Sequence, residues 1–460
     1  MYKLICHKNL RSRRFLSFLL LCITLFGMQS SYAIPSFSRQ TGMACAQCHI
    51  NAFGPQLNSF GRFFKLTGYT MGDNNKFPPI SAMLIGPSFT HSNKDVASPT
   101  SPFNKNDNLS ADEISVFYAG KIFTSDVVNA GAFAQFTYEP NAHAFAWDNT
   151  DIRFTRNATV AGHNLNVGIS LNNNPTAQDL WNTTPTWGFP FSGSPVEDLP
   201  GPPGDASPLI NNLGQTVGGA TAYMMVDENI YVEAGAYASL APSVQRTFGV
   251  LGSDTADKID GGAPYWRVAY QHNFDHTYVE VGQYGLIADI LPGRVGTAGT
   301  DHYRDLGVDA SLQYDPAGDN KHIFQLWGNA IWEHQNLSAS QALGNTANRS
   351  SSLSNVNITG SYTYEQTYQI NLGYFGSKGS TDAVFWGNPS ANPDTDGYIV
   401  ELDYTPFGKA DSIWAPYLNA RFAVQYVGFT KYLGRSSNYD GTGRDASDNN
   451  TLYLNAWFAL

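Results

Sequence analysis

The sequence predicts an all-β transmembrane barrel of about sixteen antiparallel strands, its lumen plugged by a small N-terminal helical segment. Three observations predict it. From Ile80 onward, apolar and polar residues alternate in short segments. The connections between those segments alternate between short and long. The chain also ends on an apolar, aromatic strand.

The first stretch is a leader. Lys3, Lys8, Arg11, Arg13 and Arg14 precede an apolar run from Phe15 to Phe26, and Ser31-Tyr32-Ala33 offers a small-residue cleavage site after Ala33. An uncleaved anchor helix is the alternative, but the run is shorter than the ~20 residues a span needs. Cleavage removes five basic and no acidic residues, which deepens the formal charge from −11 to −16. So acidic a chain is a poor partner for nucleic acid or anionic lipid. With 13% aromatic and only 14% charged residues, the composition suits an exported β-protein better than a soluble enzyme. No later run is long and apolar enough for a transmembrane helix.

The alternation is clearest in "DLGVDASLQY", where Leu306, Val308, Ala310, Leu312 and Tyr314 share one face and Asp305, Gly307, Asp309, Ser311 and Gln313 the other. In "YIVELDY", Tyr398, Val400, Leu402 and Tyr404 oppose Ile399, Glu401 and Asp403. Strand starts fall near Ile80, Glu113, Ala130, Thr150, Asn164, Gln215, Ile230, Pro264, Thr277, Tyr303, His322, Ser351, Tyr368, Thr395, Trp414 and Thr451. Short connections at 226–229, 273–276 and 365–367 read as periplasmic turns; the long ones, including the Pro- and Gly-rich stretch from Pro185 to Pro208, read as external loops. A soluble β-sandwich also alternates, but it needs neither this rhythm nor the terminal "TLYLNAWFAL". Tyr314, Tyr364 and Tyr404 sit at strand ends, where an interface girdle needs them. These features place the protein in a bacterial outer membrane with both termini periplasmic.

Three units follow: a leader over 1–33, a small segment over 34–79 and the barrel over 80–460. The small segment holds the chemistry. Cys45-Ala-Gln-Cys48-His49 is the attachment pattern of c-type haem. Two thiols at this spacing reach the two vinyl groups, and the adjacent imidazole becomes the proximal iron ligand. A thioredoxin-like redox pair expects a βαβ context, and structural zinc expects a second ligand pair; neither is present. The expected cofactor is therefore one covalent haem c. Met83, opening the first strand, is the expected sixth ligand, with Met43, Met71 and His91 as alternatives. Methionine raises the haem potential and histidine lowers it.

"FGPQLNSFGRFFKLTGY" reads as a short helix, with Leu57, Phe60, Phe63 and Phe64 at helical spacing, Pro55 near its start and Gly68 after its end. Phe60 and Phe64 are expected to pack on the porphyrin. Arg62 and Lys65 are expected to meet its propionates, unless they form a solvated face. The segment is near the ~40-residue limit below which a domain needs outside help to fold. A barrel of about sixteen strands leaves a lumen its own side chains do not fill. The segment is therefore expected to plug the barrel from the periplasmic side.

The run "RQTGMACAQCHINAFGPQLNSFGRFFKLTGY", from Arg39 to Tyr69, resembles the N-terminus of the fused outer-membrane monohaem cytochrome c–porins. Members of that family in iron-oxidising bacteria oxidise extracellular Fe(II). The resemblance implies that Cys45 and Cys48 hold the haem, that His49 ligates the iron, and that Phe60, Gly61, Arg62, Phe64 and Lys65 pack around it. Beyond Tyr69 it extends only to architecture.

The function this supports is an electron conduit. One haem takes electrons from an extracellular donor, Fe(II) above all, and passes them to a periplasmic cytochrome or other carrier. Its only expected enzymatic activity is that single-electron oxidation, which needs no nucleophile or general base, and none is evident. The alternatives are a diffusion porin whose haem is structural or regulatory, and electron export to an external acceptor. Asp254, Asp257, Asp260, Asp382, Asp394, Asp396, Asp440, Asp445 and Asp448 fall in expected external loops. They are read as solvated charges ahead of a metal site.

Overall fold

The computed structural model describes residues 35–72, 78–96, 99, 102–140, 143–196, 207–250, 252–415 and 417–460. The expected leader lies outside the described residues. An eighteen-stranded antiparallel sheet closes on itself. Two of its members are ribbons of two or three residues, Asn108–Ser110 and Lys258–Ile259. The other sixteen are the wall. The first half comprises β1 (Ile80–Ser92), β2 (Glu113–Phe123), β3 (Asn129–Glu139), β4 (Ala144–Val160), β5 (His163–Asn172), β6 (Val217–Val226), β7 (Ile230–Ser239) and β8 (Ala263–Asn273). The second comprises β9 (Thr277–Leu291), β10 (Asp301–Tyr314), β11 (His322–Asn336), β12 (Ser350–Tyr364), β13 (Tyr368–Gly379), β14 (Thr395–Tyr404), β15 (Asn419–Lys431) and β16 (Thr451–Ala459). Each pairs with its neighbours in sequence, and β1 closes the barrel against β16 from Met83↔Ala459 to Ser92↔Thr451.

The polarity is inside out. In β10, Asp305, Asp309, Ser311 and Gln313 are buried, while Leu306, Val308 and Leu312 are exposed. β14 repeats this, with Glu401 and Asp403 buried and Leu402 and Tyr404 exposed. The register keeps the two sets apart, since Asp305 opposes Glu333 and Leu306 opposes Trp332. Val281 and Leu372 are 62% and 56% exposed on the outer face, a position only hydrocarbon makes favourable. Inward-facing Arg153, Arg267 and Arg421 are fully buried but paired. Arg153 meets Asp151 at 2.7 Å, Arg267 meets Asp309 at 2.6 Å, and Arg421 meets Asp403 at 2.8 Å and also Glu401. The protein is a bacterial outer-membrane β-barrel.

Connections 161–162, 227–229, 274–276 and 365–367 cluster at one end, which also carries Leu460 and the start of β1, where Ala82 and Leu460 exchange backbone hydrogen bonds. Connections 93–112, 240–262 and 432–450 lie at the other end. Short turns mark the periplasmic end. Aromatic rings girdle that end: Tyr314–Phe324, Phe324–Tyr362, Tyr368–Tyr404, Tyr404–Phe422 and Phe422–Phe458 lie 5.0–6.3 Å apart.

Two strand starts differ from the sequence reading. β4 begins at Ala144 and not at Thr150, because a register shift between Ala134 and Phe136 interrupts the β3–β4 alternation. β15 begins at Asn419, because Leu418 closes a turn onto the Trp414 carbonyl. The larger correction concerns the connection between β5 and β6. Its described residues do not extend outward. They fold into the bore, where Asn329 Nδ2 donates to the Thr183 carbonyl at 2.7 Å and Gln425 Nε2 to the Ser192 carbonyl at 2.9 Å.

Residues 35–72 lie in the bore at the periplasmic end. They form α1 (Pro35–Thr41), α2 (Cys45–Cys48) and α3 (Ser59–Leu66). α3 starts later than its aromatic spacing suggests. Asn58 caps it by accepting from the Gly61 N–H at 3.0 Å, and Leu57 bridges to His49. Pro55 and Leu57 therefore precede the helix. The segment is tied to strands around the circumference. Tyr69 donates to Asp151 on β4 at 2.7 Å, and Tyr223 on β6 donates to the Leu66 carbonyl at 2.8 Å. Gln56 donates to Gln325 on β11 at 3.0 Å, while Gln366, in the turn after β12, donates to the Ala46 and His49 carbonyls.

Candidate functional site

A cavity of about 350 Å³ lies between the plug, the inward loop and the wall formed by β1–β4, β15 and β16. Cys45, Cys48 and His49 line it. The peptide that carries them is short and anchored at both sides: His49 N–H donates to the Cys45 carbonyl at 2.9 Å, and Asn58 N–H to the Cys48 carbonyl at 2.9 Å. Both thiols are free and buried. Burial pushes each up to about 12, against which the Asn419 side chain, donating to Cys45 Sγ at 3.2 Å, gives Cys45 only partial relief. Neutral buried thiols make a poor dithiol redox pair, so that reading of the motif loses support.

His49 keeps some accessibility and lines the cavity. Burial holds its imidazole neutral, down to about 4, which is the form that ligates a metal. Its Nδ1 is buried beside the Gly54 and Gln56 backbone without completing a hydrogen bond. Lys65 lines the same cavity. Its Nζ donates to Asn182 Oδ1 at 2.9 Å and to the Ala177 carbonyl at 3.1 Å, over the Trp187 ring. Burial lowers its pKa to about 7. Phe64 packs edge-on to Phe37 at 5.0 Å and, with Phe117 and Phe133, forms the apolar side.

These residues fit a covalent haem. Two buried thiols, a neutral imidazole and an ammonium without a carboxylate meet around one largely apolar space. Cys45 and Cys48 would hold the porphyrin edge, His49 the iron, and Lys65 a propionate.

Met83, on β1, lines the cavity and is the only methionine among the described residues that does so. Met71 packs into the neighbouring apolar cluster without lining it. Met43 does not line it either. His91 lies towards the outer end of β1, paired with Asp107 at 2.7 Å. Arg62 and Phe60 face away, into a second cavity of about 390 Å³ beside Tyr278. Arg62 donates to the Leu57 carbonyl at 2.7 Å, to Gln313 at 3.2 Å and to Ser59 at 2.9 Å, and stacks 3.6 Å over Tyr278. It clamps the plug to the wall. The sequence reading did not find Asn419, Trp187 or Trp457, which line the cavity from the wall and the inward loop; no local pattern marks them.

The loop aspartates do not converge. Among the described residues no group of three or more His, Cys, Asp or Glu side chains is placed to hold a metal ion. Asp254 pairs with Arg246, Asp448 with Lys94 at 2.9 Å, and Asp394 and Asp396 with Lys431. Asp382 accepts backbone N–H bonds from Ala347, Asn348, Val384 and Phe385, which hold its carboxyl well below the usual range.

The fold and the filled periplasmic mouth define a porin-like outer-membrane barrel with an internal plug. The chain matches no protein-family profile and no curated protein. Among solved structures it is similar to the anion-selective porin of Comamonas acidovorans, with a TM-score of 0.47 and 10% identity over 82% of this chain and 98% of that one. It is also similar to a loop-deletion form of OmpT, an outer-membrane protein of Vibrio cholerae, with a TM-score of 0.44 and 10% identity over 82% and 97% of the two chains. OmpF of Salmonella typhi, in complex with daunomycin, gives a TM-score of 0.44 and 11% identity over 82% and 96%.

Proposed function

We propose that this barrel is an electron conduit. Cys45 and Cys48 would hold a single covalent haem c, His49 and Met83 are the residues that would ligate its iron, and the group would supply one-electron transfer from an extracellular donor, Fe(II), to a periplasmic carrier. The observation that carries this reading is that the only two described cysteines, His49, Met83 and Lys65 all line one cavity in the periplasmic mouth. Bound there, a haem supplies one-electron exchange between ferric and ferrous states. The chain's own part is to hold and insulate. The thiols and imidazole fix position, Lys65 neutralises a propionate, and Phe37, Phe64 and Phe117 keep water from the ring faces. A methionine ligand favours a raised potential, which suits a donor such as Fe(II).

Protein purified from membranes should retain a peroxidase-active haem after denaturation, and anaerobic Fe(II) should shift the spectrum of the folded protein to the ferrous form. Denatured protein free of bound tetrapyrrole ends the reading, and an unreduced haem removes iron as donor. The coarser alternative, a diffusion porin, shares the barrel. It predicts steady ion conductance in a planar bilayer, whereas a bore filled by a plug and an inward loop should be nearly silent. Electron export uses the same parts, and a redox titration of the holoprotein against a periplasmic carrier decides the direction.

A further inference from the structure

A porin's lumen is polar and wet. Above the cavity, this one is apolar and aromatic. Phe191, in the inward loop, lines the cavity and packs with Phe53 of the plug, Met83 of β1 and Trp457 of β16. Its ring lies 5.4 Å from Phe189, which lies 6.3 Å from Trp327 on β11. Phe189 also rests on β13 at Gly373, where its ring carbons come within 3.1 Å of where a Cβ would stand. Two residues farther out on β13, Phe375 is 5.5 Å from Phe429 on β15. Phe429 is 5.3 Å from Tyr432, and Tyr432 is 4.8 Å from Tyr439, in the external β15–β16 connection. All of these rings belong to one packed cluster, with Phe191 against its margin.

Each strand in that path turns an aromatic inward at a position where polar lumen residues flank it. Asn329 and Gln325 flank Trp327 on the inner face of β11, and Gln425 precedes Val427 and Phe429 on β15. A packed cluster of mostly buried rings, with the paired Arg421 guanidinium 5.7 Å from the Phe191 ring at its inner end, is a poor route for solutes. It is a good medium for electronic coupling, which decays less steeply through packed matter than across a gap.

We infer that the column Phe191–Phe189–Phe375–Phe429–Tyr432–Tyr439 couples the cavity to the outer surface, and that an external one-electron reductant is oxidised at the β15–β16 connection around Tyr439. One electron leaves the reductant, ferrous iron becoming ferric, and reduces the ferric group held by Cys45, Cys48 and His49. The rings supply coupling and are not themselves oxidised. The inference rests on the proposed haem, and its test separates the two.

The test uses the holoprotein labelled with a ruthenium photosensitiser on a single external cysteine, D440C beside Tyr439 or D254C in the β7–β8 connection. Flash-induced reduction of the haem is then timed directly. With the label at position 440, Phe429→Leu should slow the transfer at least several-fold, while Phe429→Tyr, which keeps the ring, should restore it. With the label at position 254, Phe429→Leu should change nothing. The haem spectrum, its midpoint potential and the heat-modifiable gel mobility of the barrel should be the same in every variant. Where Phe429→Leu does not assemble, Phe189→Leu in the inward loop takes its place. An unchanged rate from position 440 in an assembled variant overturns the inference and leaves the haem standing. Absence of covalent haem from the unsubstituted protein overturns the reading beneath it.

Discussion

Lys65 Nζ is 2.9 Å from Asn182 Oδ1, so the plug's ammonium is held by the inward loop. Among the described residues, no carboxylate lies within 4.0 Å of it. Its pKa is lowered to about 7, first by burial and then by Arg153. A lysine with a depressed folded pKa destabilises the native state while its unfolded counterpart holds a proton. The penalty is fully present below about 7 and fades as pH rises towards the unfolded value of 10.5. Haem-free protein should therefore gain stability from pH 7 to pH 9.5, by at most ~1.4 kcal/mol per unit. Lys65→Met should remove that gain, and so should haem loading, because a propionate restores the charged form. Urea midpoints at the two pH values, for both proteins with and without haem, check this. A slope unchanged by Lys65→Met sinks it.

The two thiols make a second prediction. Burial keeps both near 12, and alkylation needs the thiolate. Folded haem-free protein should react with iodoacetamide far more slowly at pH 8 than the urea-denatured form, which should take up label at both Cys45 and Cys48. Haem-loaded protein should take up none even when denatured, because both sulfurs are thioethers. Mass spectrometry of the labelled chain reads all three states. Label on denatured haem-loaded protein contradicts covalent attachment through these residues.

Most of the barrel was legible in the sequence because a wall strand carries a strong, repeated signal. Leu306, Val308 and Leu312 against Asp305, Asp309 and Gln313 can only face opposite sides. The Cys45, Cys48 and His49 pattern stands out as plainly, since it is a matter of neighbours in the chain, and the structure adds that all three line one cavity. Legibility stopped where contacts became long-range. Nothing near Asn419 announces that its amide reaches Cys45, 374 positions away. Pro185 to Pro208 has the composition of an exposed loop, yet its described part turns inward, where Gln425 takes up the Ser192 carbonyl and Thr90 meets Ser194. Arg62 and Lys65 stand three positions apart on α3 and seemed to share one role. The helix directs Lys65 to the cavity and Arg62 to Tyr278.

Gly61 packs closely against the peptide that carries the two cysteines. A Cβ there would stand 2.4 Å from the Cys48 carbonyl oxygen and 3.1 Å from Leu57 Cδ2. The oxygen is backbone and accepts from the Asn58 N–H, so it cannot swing aside. Gly61→Ala should push α3 off the attachment peptide at a cost of about 1–3 kcal/mol. The wall has no part in this contact. The variant should keep the heat-modifiable mobility of a folded barrel while its plug becomes sensitive to protease and its haem content falls. A barrel lost together with the plug would mean that the two fold as one unit.

Asp305 and Leu306 are adjacent, yet their substitutions should fail differently. Leu306 is 46% exposed on the lipid-facing side, where an arginine in the apolar band costs about 2–4 kcal/mol near mid-depth and less towards the interfaces. Leu306→Arg should lower the urea midpoint of the barrel in lipid vesicles and leave the loop's contacts intact. Asp305 faces the bore and accepts from Ser207 Oγ at 3.0 Å and from the Leu209 N–H at 2.9 Å. Asp305→Leu strands those two donors, each a loss of about 1–3 kcal/mol if buried without a partner. Its effect should fall on the inward loop: faster cleavage between β5 and β6 by added protease, with membrane insertion unchanged. If the two variants behaved alike, the inward and outward faces assigned to β10 would be wrong, and with them the register of its neighbours.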